Sequence, residues 1–227
     1  MEDVNELSIN SLLDIEHPER YLERARPFAE LMMEYECAML EVKTKLEVLN
    51  AEMSLRNSRN PFESIKSRLK KPASIIEKLK RCGYPVSLKS IEENLSDIAG
   101  LRVICSFPDD IYSLAESLCA QDDLRLILKK DYIKNPKPNG YRSLHLVLDV
   151  PIFLLNQKKH RRVEVQFRTM AMDFWASLEH KVRYKKDVEN TESLNRELRE
   201  CADMIALADE RMMNIRNKLE NEKYSDN

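Results

Sequence analysis

Three glycines in 227 residues leave this chain few places to turn sharply. Glycine goes where the backbone needs a positive φ or where something must approach it closely. So little of it predicts a helical body with a few specialised turns. Two of the three glycines lie in the most unusual segments, Asp97-Ile98-Ala99-Gly100-Leu101-Arg102-Val103 and Asn139-Gly140-Tyr141-Arg142-Ser143-Leu144-His145. These segments bring together an isolated acid, two arginines, a tyrosine and a histidine, a set suited to holding phosphates, a metal and a base.

Hydrophobic spacing sets the expected elements. Phe28, Leu31, Tyr35, Ala38, Val42, Leu46, Leu49 and Met53 recur every three or four residues, which predicts a long helix over 18–55. A second helical region is expected over 62–82, interrupted by Pro72 and ended by Gly83-Tyr84-Pro85. Strands are expected at 101–107, 124–133, 144–150 and 161–169, with a short helix from Pro108 to about Ala120. The strands at 144–150 and 161–169 can pair through a loop over 151–160. A helix is expected over 170–185 and a last one over 190–222. In that last helix Leu194, Leu198, Cys201, Ile205, Ala208, Met212, Ile215 and Leu219 form a heptad seam, which either folds back on the N-terminal helices or makes an oligomer contact. The fold class is α+β, one mixed β-sheet with flanking N- and C-terminal helices.

Five scattered cysteines without a CxxC pair read as reduced thiols of a cytoplasmic protein. The acidic, polar start is no signal peptide, and no stretch is long and apolar enough to span a membrane. Charge is unevenly spread: from Ser64 to Ser90 there are eight basic residues and one acid, Glu77. Within an overall net charge of −2, this local basic stretch reads either as a solvated helix face or as a site for a compact polyanion such as a nucleotide, not for bulk nucleic acid. On a continuous helix Lys70, Ser74, Lys78 and Arg81 would form one stripe able to follow a triphosphate, with Pro72 disturbing its first step.

Asp97 precedes an apolar strand, where an acid either caps a turn, pairs with Arg102 or holds a metal. Glu164 and Gln166 alternate with Val163, Val165 and Phe167 and so share one strand face. Two carboxylates on strands beside a basic patch point to a Mg²⁺ site. If the chain is extended from Tyr141 onward, Tyr141, Ser143 and His145 share a face that offers an aromatic platform, a hydroxyl and an imidazole.

These residues carry a resemblance. Arg68-Leu69-Lys70 with Ser74-Ile75-Ile76-Glu77-Lys78, the Asp97–Val103 segment, Asp131-Tyr132-Ile133, Gly140–His145, Val163-Glu164-Val165-Gln166-Phe167-Arg168-Thr169 and Phe174-Trp175-Ala176-Ser177-Leu178-Glu179-His180 form an ordered set. The set resembles the small alarmone synthetases, the single-domain (p)ppGpp synthetases of the RelA/SpoT group, and looks closest to their RelP-like branch. The resemblance implies a nucleotidyltransferase-like core at 61–186, a helical extension at 1–60 and a C-terminal helix at 187–227. It implies transfer of the β,γ-pyrophosphate of ATP to the 3′-hydroxyl of GTP or GDP, with release of AMP, in the stringent response. By similarity Asp97 and Glu164 hold Mg²⁺ and Glu164 activates the 3′-hydroxyl. Arg68, Lys70, Ser74, Lys78, Arg81 and Arg102 line the ATP site. Tyr141 stacks on guanine, Lys130, Lys137 and His145 face the acceptor phosphates, and Gln166 and Asp173 lie on the guanosine side. The family implies a cytoplasmic homotetramer.

None of the histidines at 17, 145, 160 and 180 is followed by Asp, so the HD-type hydrolase of the long relatives is not expected, and the chain is expected to synthesise without hydrolysing. Two other readings use the same residues: a non-catalytic nucleotide- or RNA-binding module on this fold, and a helical scaffold whose terminal helices do the work.

Overall fold

A computed structural model describes residues 18–57, 59–184 and 192–225. The first described element is a helix, α1, over Pro18–Asn57. An edge strand β1 (Phe62–Leu69) and a short helix α2 (Pro72–Arg81) follow. The helix expected over 62–82 is thus corrected to a strand and a helix. Phe62, Ile65 and Leu69 mimic helical spacing because β1 pairs only with β2 and carries an irregularity between Phe62 and Ser64, so its alternation is blurred. Pro72 starts α2 rather than interrupting it; proline suits the first helical position, where no N–H partner is required. Gly83 then ends α2 with φ +74°.

A seven-residue helix α3 (Leu88–Asn94), capped by Ser87 Oγ accepting from Ser90 N at 3.1 Å, has no counterpart among the expected elements. Then come β2 (Ala99–Cys105), α4 (Pro108–Cys119), β3 (Arg125–Asp131), β4 (Leu144–Leu154), β5 (Gln157–Thr169), α5 (Met170–Tyr184) and α6 (Glu192–Ser225). The loop expected over 151–160 is instead ladder: β4 and β5 stay paired to Leu154↔Gln157 and turn through Leu155-Asn156.

The five strands form one sheet in the order β1-β2-β5-β4-β3. Only the β2–β5 pair is parallel; the others are antiparallel. One face is apolar, with Leu101, Val103, Leu144, Leu146, Leu148, Val163, Val165 and Phe167 buried in the core. α1 covers it with Leu31, Tyr35, Ala38, Val42, Leu46 and Leu49, one stripe at three- and four-residue spacing. α1 is also tied down by charge: buried Glu34 pairs with Lys159 and Arg161 of β5.

α6 packs on α5, on α4 and on the turn at Gly140. Trp175 Nε1 donates to Leu198 O at 3.1 Å, Thr169 Oγ1 donates to Asp209 Oδ2 at 2.6 Å, and Arg142 reaches Asp203 at 2.8 Å. The face turned inward carries Ala202 and Asp209, whereas Met212, Ile215 and Leu219 of the expected seam are half exposed. The seam therefore splits: its upper part lies partly buried against this chain, and its lower part faces outward.

Gly140 has φ +90°, and a β-carbon there would lie 2.5 Å from Ala202 Cβ. What approaches this glycine most closely is α6. Gly83 also has positive φ, but its surroundings are open. Gly83→Ala is therefore expected to cost about 1–2 kcal/mol for the backbone alone, and Gly140→Ala that plus about 1–3 kcal/mol for overpacking. Urea unfolding of the two variants checks this; equal costs would contradict the packing of α6 on the turn.

Candidate active site

The face of the sheet away from α1 is polar, and strand register lays it out in rows. Lys66 pairs with Arg102, Arg102 with Gln166, Gln166 with His145 and His145 with Lys130, one residue from each strand. The next row runs Arg68, Gly100, Glu164, Val147 and Leu128. Residues far apart in sequence, such as Arg102 and Gln166, become neighbours through strand pairing, and alternate positions of each strand share the face.

Two clefts open over these rows. The first, about 260 Å³, is lined by Lys66, Arg68, Lys70, Asp97, Gly100, Leu101, Arg102, Glu164 and Gln166. The second, about 350 Å³, is lined by Lys78, Asn94, Ser96, Asp97, Leu128, Lys130, Tyr132, Lys137, His145, Val147 and Glu164. Asp97 and Glu164 are common to both. Gly100 sits in the floor of the first cleft; a β-carbon there would make only ordinary contacts, at 3.6 Å to Arg68 O. Its missing side chain leaves room in the cleft and relieves no strain.

Asp97 lies two residues before β2, and the backbone beside it is fixed by Lys70 N donating to Ile98 O at 2.8 Å. Its Oδ2 accepts from Lys70 Nζ at 2.7 Å, and its Oδ1 lies 2.8 Å from Lys78 Nζ. Burial alone would raise its pKa, but the two lysines outweigh burial and hold it below the usual carboxylate range. Glu164 is treated likewise. Burial raises it, but His145 Nδ1 at 3.2 Å from Oε1 and Gln166 Nε2 at 2.9 Å from Oε2 bring it below its ordinary value, with the nearby Asp97 charge opposing them. Both carboxylates are therefore ionised at neutral pH.

Around His145 the second cleft is aromatic. Tyr132 meets the Tyr141 and His145 rings edge-on, at centroid distances of 6.0 and 5.3 Å. Lys137 Nζ lies 4.8 and 4.9 Å from the Tyr132 and Tyr141 rings. The Tyr141 hydroxyl is 2.8 Å from His145 Nε2.

The site residues expected from sequence thus fall into place unevenly. Arg68, Lys70, Arg102, Asp97 and Glu164 converge on the first cleft, and Lys130, Lys137 and His145 on the second, with Tyr141 against His145. Lys78, expected with the donor set, lines the second cleft, while Gln166, expected on the acceptor side, lines the first. Ser74 and Arg81 lie on α2 with Lys78 but line neither cleft. The stripe through Lys70, Ser74, Lys78 and Arg81 is not one helix face, because Lys70 precedes α2. Asp173, in the first turn of α5, pairs with Arg102 at 3.3 Å, Arg168 at 3.0 Å and Lys66 at 3.7 Å, so it closes the donor-side wall.

The face expected to join Tyr141, Ser143 and His145 is corrected. The strand begins only at Leu144, and Ser143 is buried with its hydroxyl donating to Phe167 O at 3.0 Å. Arg142, read as a phosphate donor, is spent on Gly140 O, Ala202 O and Asp203. Lys66, Tyr132 and Arg168 are cleft or network residues that the sequence pattern missed. Their signals were present: Lys66 and Arg68 alternate, Tyr132 follows Asp131, and Arg168 continues the Glu164–Gln166 face.

A divalent cation fits this chemistry. Two carboxylates face the seam of the clefts, and Asp97 Oδ1 is buried without a well-aligned hydrogen bond. Among the described residues no group of three or more His, Cys, Asp or Glu converges. Two carboxylates suit a divalent cation that completes its shell with water and substrate phosphates.

Known proteins share this fold. Residues 67–189 match the model of the region found in RelA/SpoT proteins. The GTP pyrophosphokinase YwaC of Bacillus subtilis is 43% identical over 189 residues, 83% of this chain and 90% of that protein. Among solved structures, small alarmone synthetase 2 from Bacillus subtilis superposes with a TM-score of 0.74 at 42% identity, covering 82% of this chain and 97% of that one. Small alarmone synthetase 1 from the same organism, bound to its product pppGpp, superposes with a TM-score of 0.76 at 36% identity, covering 85% and 98%. The matched span contains both carboxylates and every lining residue but Lys66, and with that span and those identities the chain belongs to the RelA/SpoT family.

Proposed function

We propose that this chain is a GTP pyrophosphokinase that moves the β,γ-pyrophosphate of ATP to the 3′-hydroxyl of GTP or GDP, yielding pppGpp or ppGpp and AMP, as a synthetase without hydrolase activity. The observation that carries this reading is that two clefts, each with cations, share two residues, and both of these are ionised carboxylates. A group transfer between two nucleotides needs such a seam. Residues 61–186 carry the transfer, and the helices before and after frame it.

On this reading ATP lies over Arg68, Lys70 and Arg102 in the first cleft, and Lys78 meets its polyphosphate at the seam beside Asp97, while Ser74 and Arg81, expected with them, line neither cleft. The acceptor lies in the second cleft. Its guanine stacks on Tyr141, and Lys130, Lys137 and His145 meet its phosphates, while Gln166 and Asp173, expected on its guanosine side, stand instead at the first cleft. Lys137, resting on two aromatic rings, is free to leave them for a phosphate. The acceptor 3′-oxygen attacks the β-phosphorus, the bond from that phosphorus to the α,β-bridging oxygen breaks, and AMP leaves with the electron pair. Glu164 accepts the 3′-hydroxyl proton as the new bond forms. Holding both nucleotides in line contributes on the order of 7–11 kcal/mol to lowering the barrier.

Asp97 and Glu164 would hold Mg²⁺, which when bound offsets charge on the transferring phosphates. Lys70 and Lys78 hold Asp97 charged and fixed until a polyphosphate competes for them.

We place the protein in the cytoplasm; among the described residues no helix is long and apolar enough to cross a membrane. A homotetramer is supported by exposed apolar side chains on both long helices: Leu40, Val48 and Leu55 on α1, and Met212, Ile215 and Leu219 on α6. Light scattering is expected to give four times the chain mass; a monomer at working concentration would contradict the tetramer.

Activity is tested with Mg-ATP and labelled GTP or GDP. The wild type is expected to form a 3′-pyrophosphorylated guanosine nucleotide and AMP in equal amounts, and absence of both would overturn the reading. Asp97→Asn and Glu164→Gln are each expected to lower kcat by about 10²–10⁴-fold while keeping the wild-type circular dichroism. Near-normal turnover in either refutes its role.

A further inference from the structure

Arg168 stands outside every role assigned so far. It is the third residue, after Glu164 and Gln166, on the polar face of β5, yet it is only 5% exposed. A buried guanidinium is costly unless its donors are used. Its Nη1 donates to Asp173 Oδ1 at 3.0 Å. Its Nη2 donates twice, to the Tyr141 hydroxyl at 2.8 Å and to Gln166 Oε1 at 3.2 Å.

The direction of the bonds from Arg168 is fixed by chemistry. A guanidinium only donates and a carboxylate only accepts. The Tyr141 oxygen accepts from Arg168, and His145 Nε2, at 2.8 Å, is the other group within hydrogen-bond distance among the described residues, so toward a neutral imidazole the phenol donates its proton there. His145 then carries its proton on Nδ1 and donates it to Glu164 Oε1, 3.2 Å away. The second branch runs the same way: Gln166 turns its oxygen to Arg168 and its amide nitrogen to Glu164 Oε2 at 2.9 Å. One cation thus feeds two relays that end on the two oxygens of one carboxylate.

We propose that Arg168 is a positioning residue of the transfer reaction: through Tyr141–His145 and through Gln166 it fixes the orientation of Glu164 and the tautomer of His145. This rests on the reading of Glu164 as the proton acceptor. The guanidinium carbon also lies 5.1 Å from the centre of the Tyr141 ring, so the same residue sets the platform for the acceptor base. Base orientation and acceptor placement are therefore mechanically one unit, and Asp173 links that unit to Arg102 on the donor side.

Three measurements on the full chain test this. Long-range ¹H–¹⁵N spectra of the neutral imidazole, with His145 assigned by His145→Gln, are expected to show the proton on Nδ1 in the wild type and a mixture of tautomers in Tyr141→Phe. A wild-type His145 protonated on Nε2 would overturn the relay whether or not the protein is active. In steady-state assays Arg168→Met is expected to lower kcat about 10–100-fold with the KM for ATP unchanged. Tyr141→Phe keeps the ring for stacking, so it is expected to lower kcat with little change in the KM for GTP; it also serves if Arg168→Met fails to fold. Wild-type kcat in Tyr141→Phe or in folded Arg168→Met overturns the proposal. A wild type that makes no 3′-pyrophosphorylated product would instead overturn the assigned reaction and leave the tautomer result standing on its own.

Discussion

The parallel pairing of β2 with β5, Gly100 beside Glu164 and Arg102 beside Gln166, is the constraint on which the site depends. Shifting that register by one residue would send Glu164 and Gln166 into the core and bring Val163 and Val165 to the polar face. The apolar alternation of both strands prevents this, because Leu101, Val103, Val163, Val165 and Phe167 are buried against α1 and its neighbours. The core therefore does more than stabilise: by burying one face it dictates which side chains stand on the other. Arg68 and Lys66 from β1, and His145 and Lys130 from β4 and β3, then fall into line through ordinary ladder pairing.

Charge is the second constraint. Carboxylates shielded from water are favourable only when paired, and here each pairing has a use. Lys70 and Lys78 hold Asp97 ionised, His145 and Gln166 do the same for Glu164, and Arg102 and Arg168 form ion pairs with Asp173. A site built this way stands oriented before any nucleotide arrives, which is what electrostatic catalysis requires. The second cleft also draws on the chain's far end. α6 holds the Gly140 turn through Ala202 packing, the Arg142–Asp203 pair and Arg199 Nη1 donating to Lys137 O at 3.4 Å. Tyr141 follows that turn directly, so α6 supports the aromatic platform as well as offering an outer apolar face.

The long helices, the strand carrying Glu164 and Gln166, and the isolation of Asp97 were legible in the sequence because each has a clean local signal: period, alternation, or one acid before an apolar run. β1 was not, since an edge strand half open to solvent need not alternate. The extended β4–β5 hairpin was hidden because Pro151 interrupts the alternation of β4 and the matching stretch of β5, Gln157–Arg161, is polar. Which side chains belong to which cleft was not legible either, as Lys78 and Gln166 show: local order cannot state the order β1-β2-β5-β4-β3. Gly140 was legible as a close approach, but the sequence could not say that the approaching group is a helix sixty residues on. Arg168 was visible in its motif, yet its importance lies in three hydrogen bonds that exist only after folding.

A crystal structure with a non-hydrolysable ATP analogue, GDP and Mg²⁺ bound together tests the central claim most directly. The expected result is one nucleotide in each cleft, the β-phosphorus at the seam between Asp97 and Glu164, and the GDP 3′-hydroxyl within hydrogen-bond distance of Glu164. Both nucleotides in one cleft, or a 3′-hydroxyl turned away from Glu164, would contradict it.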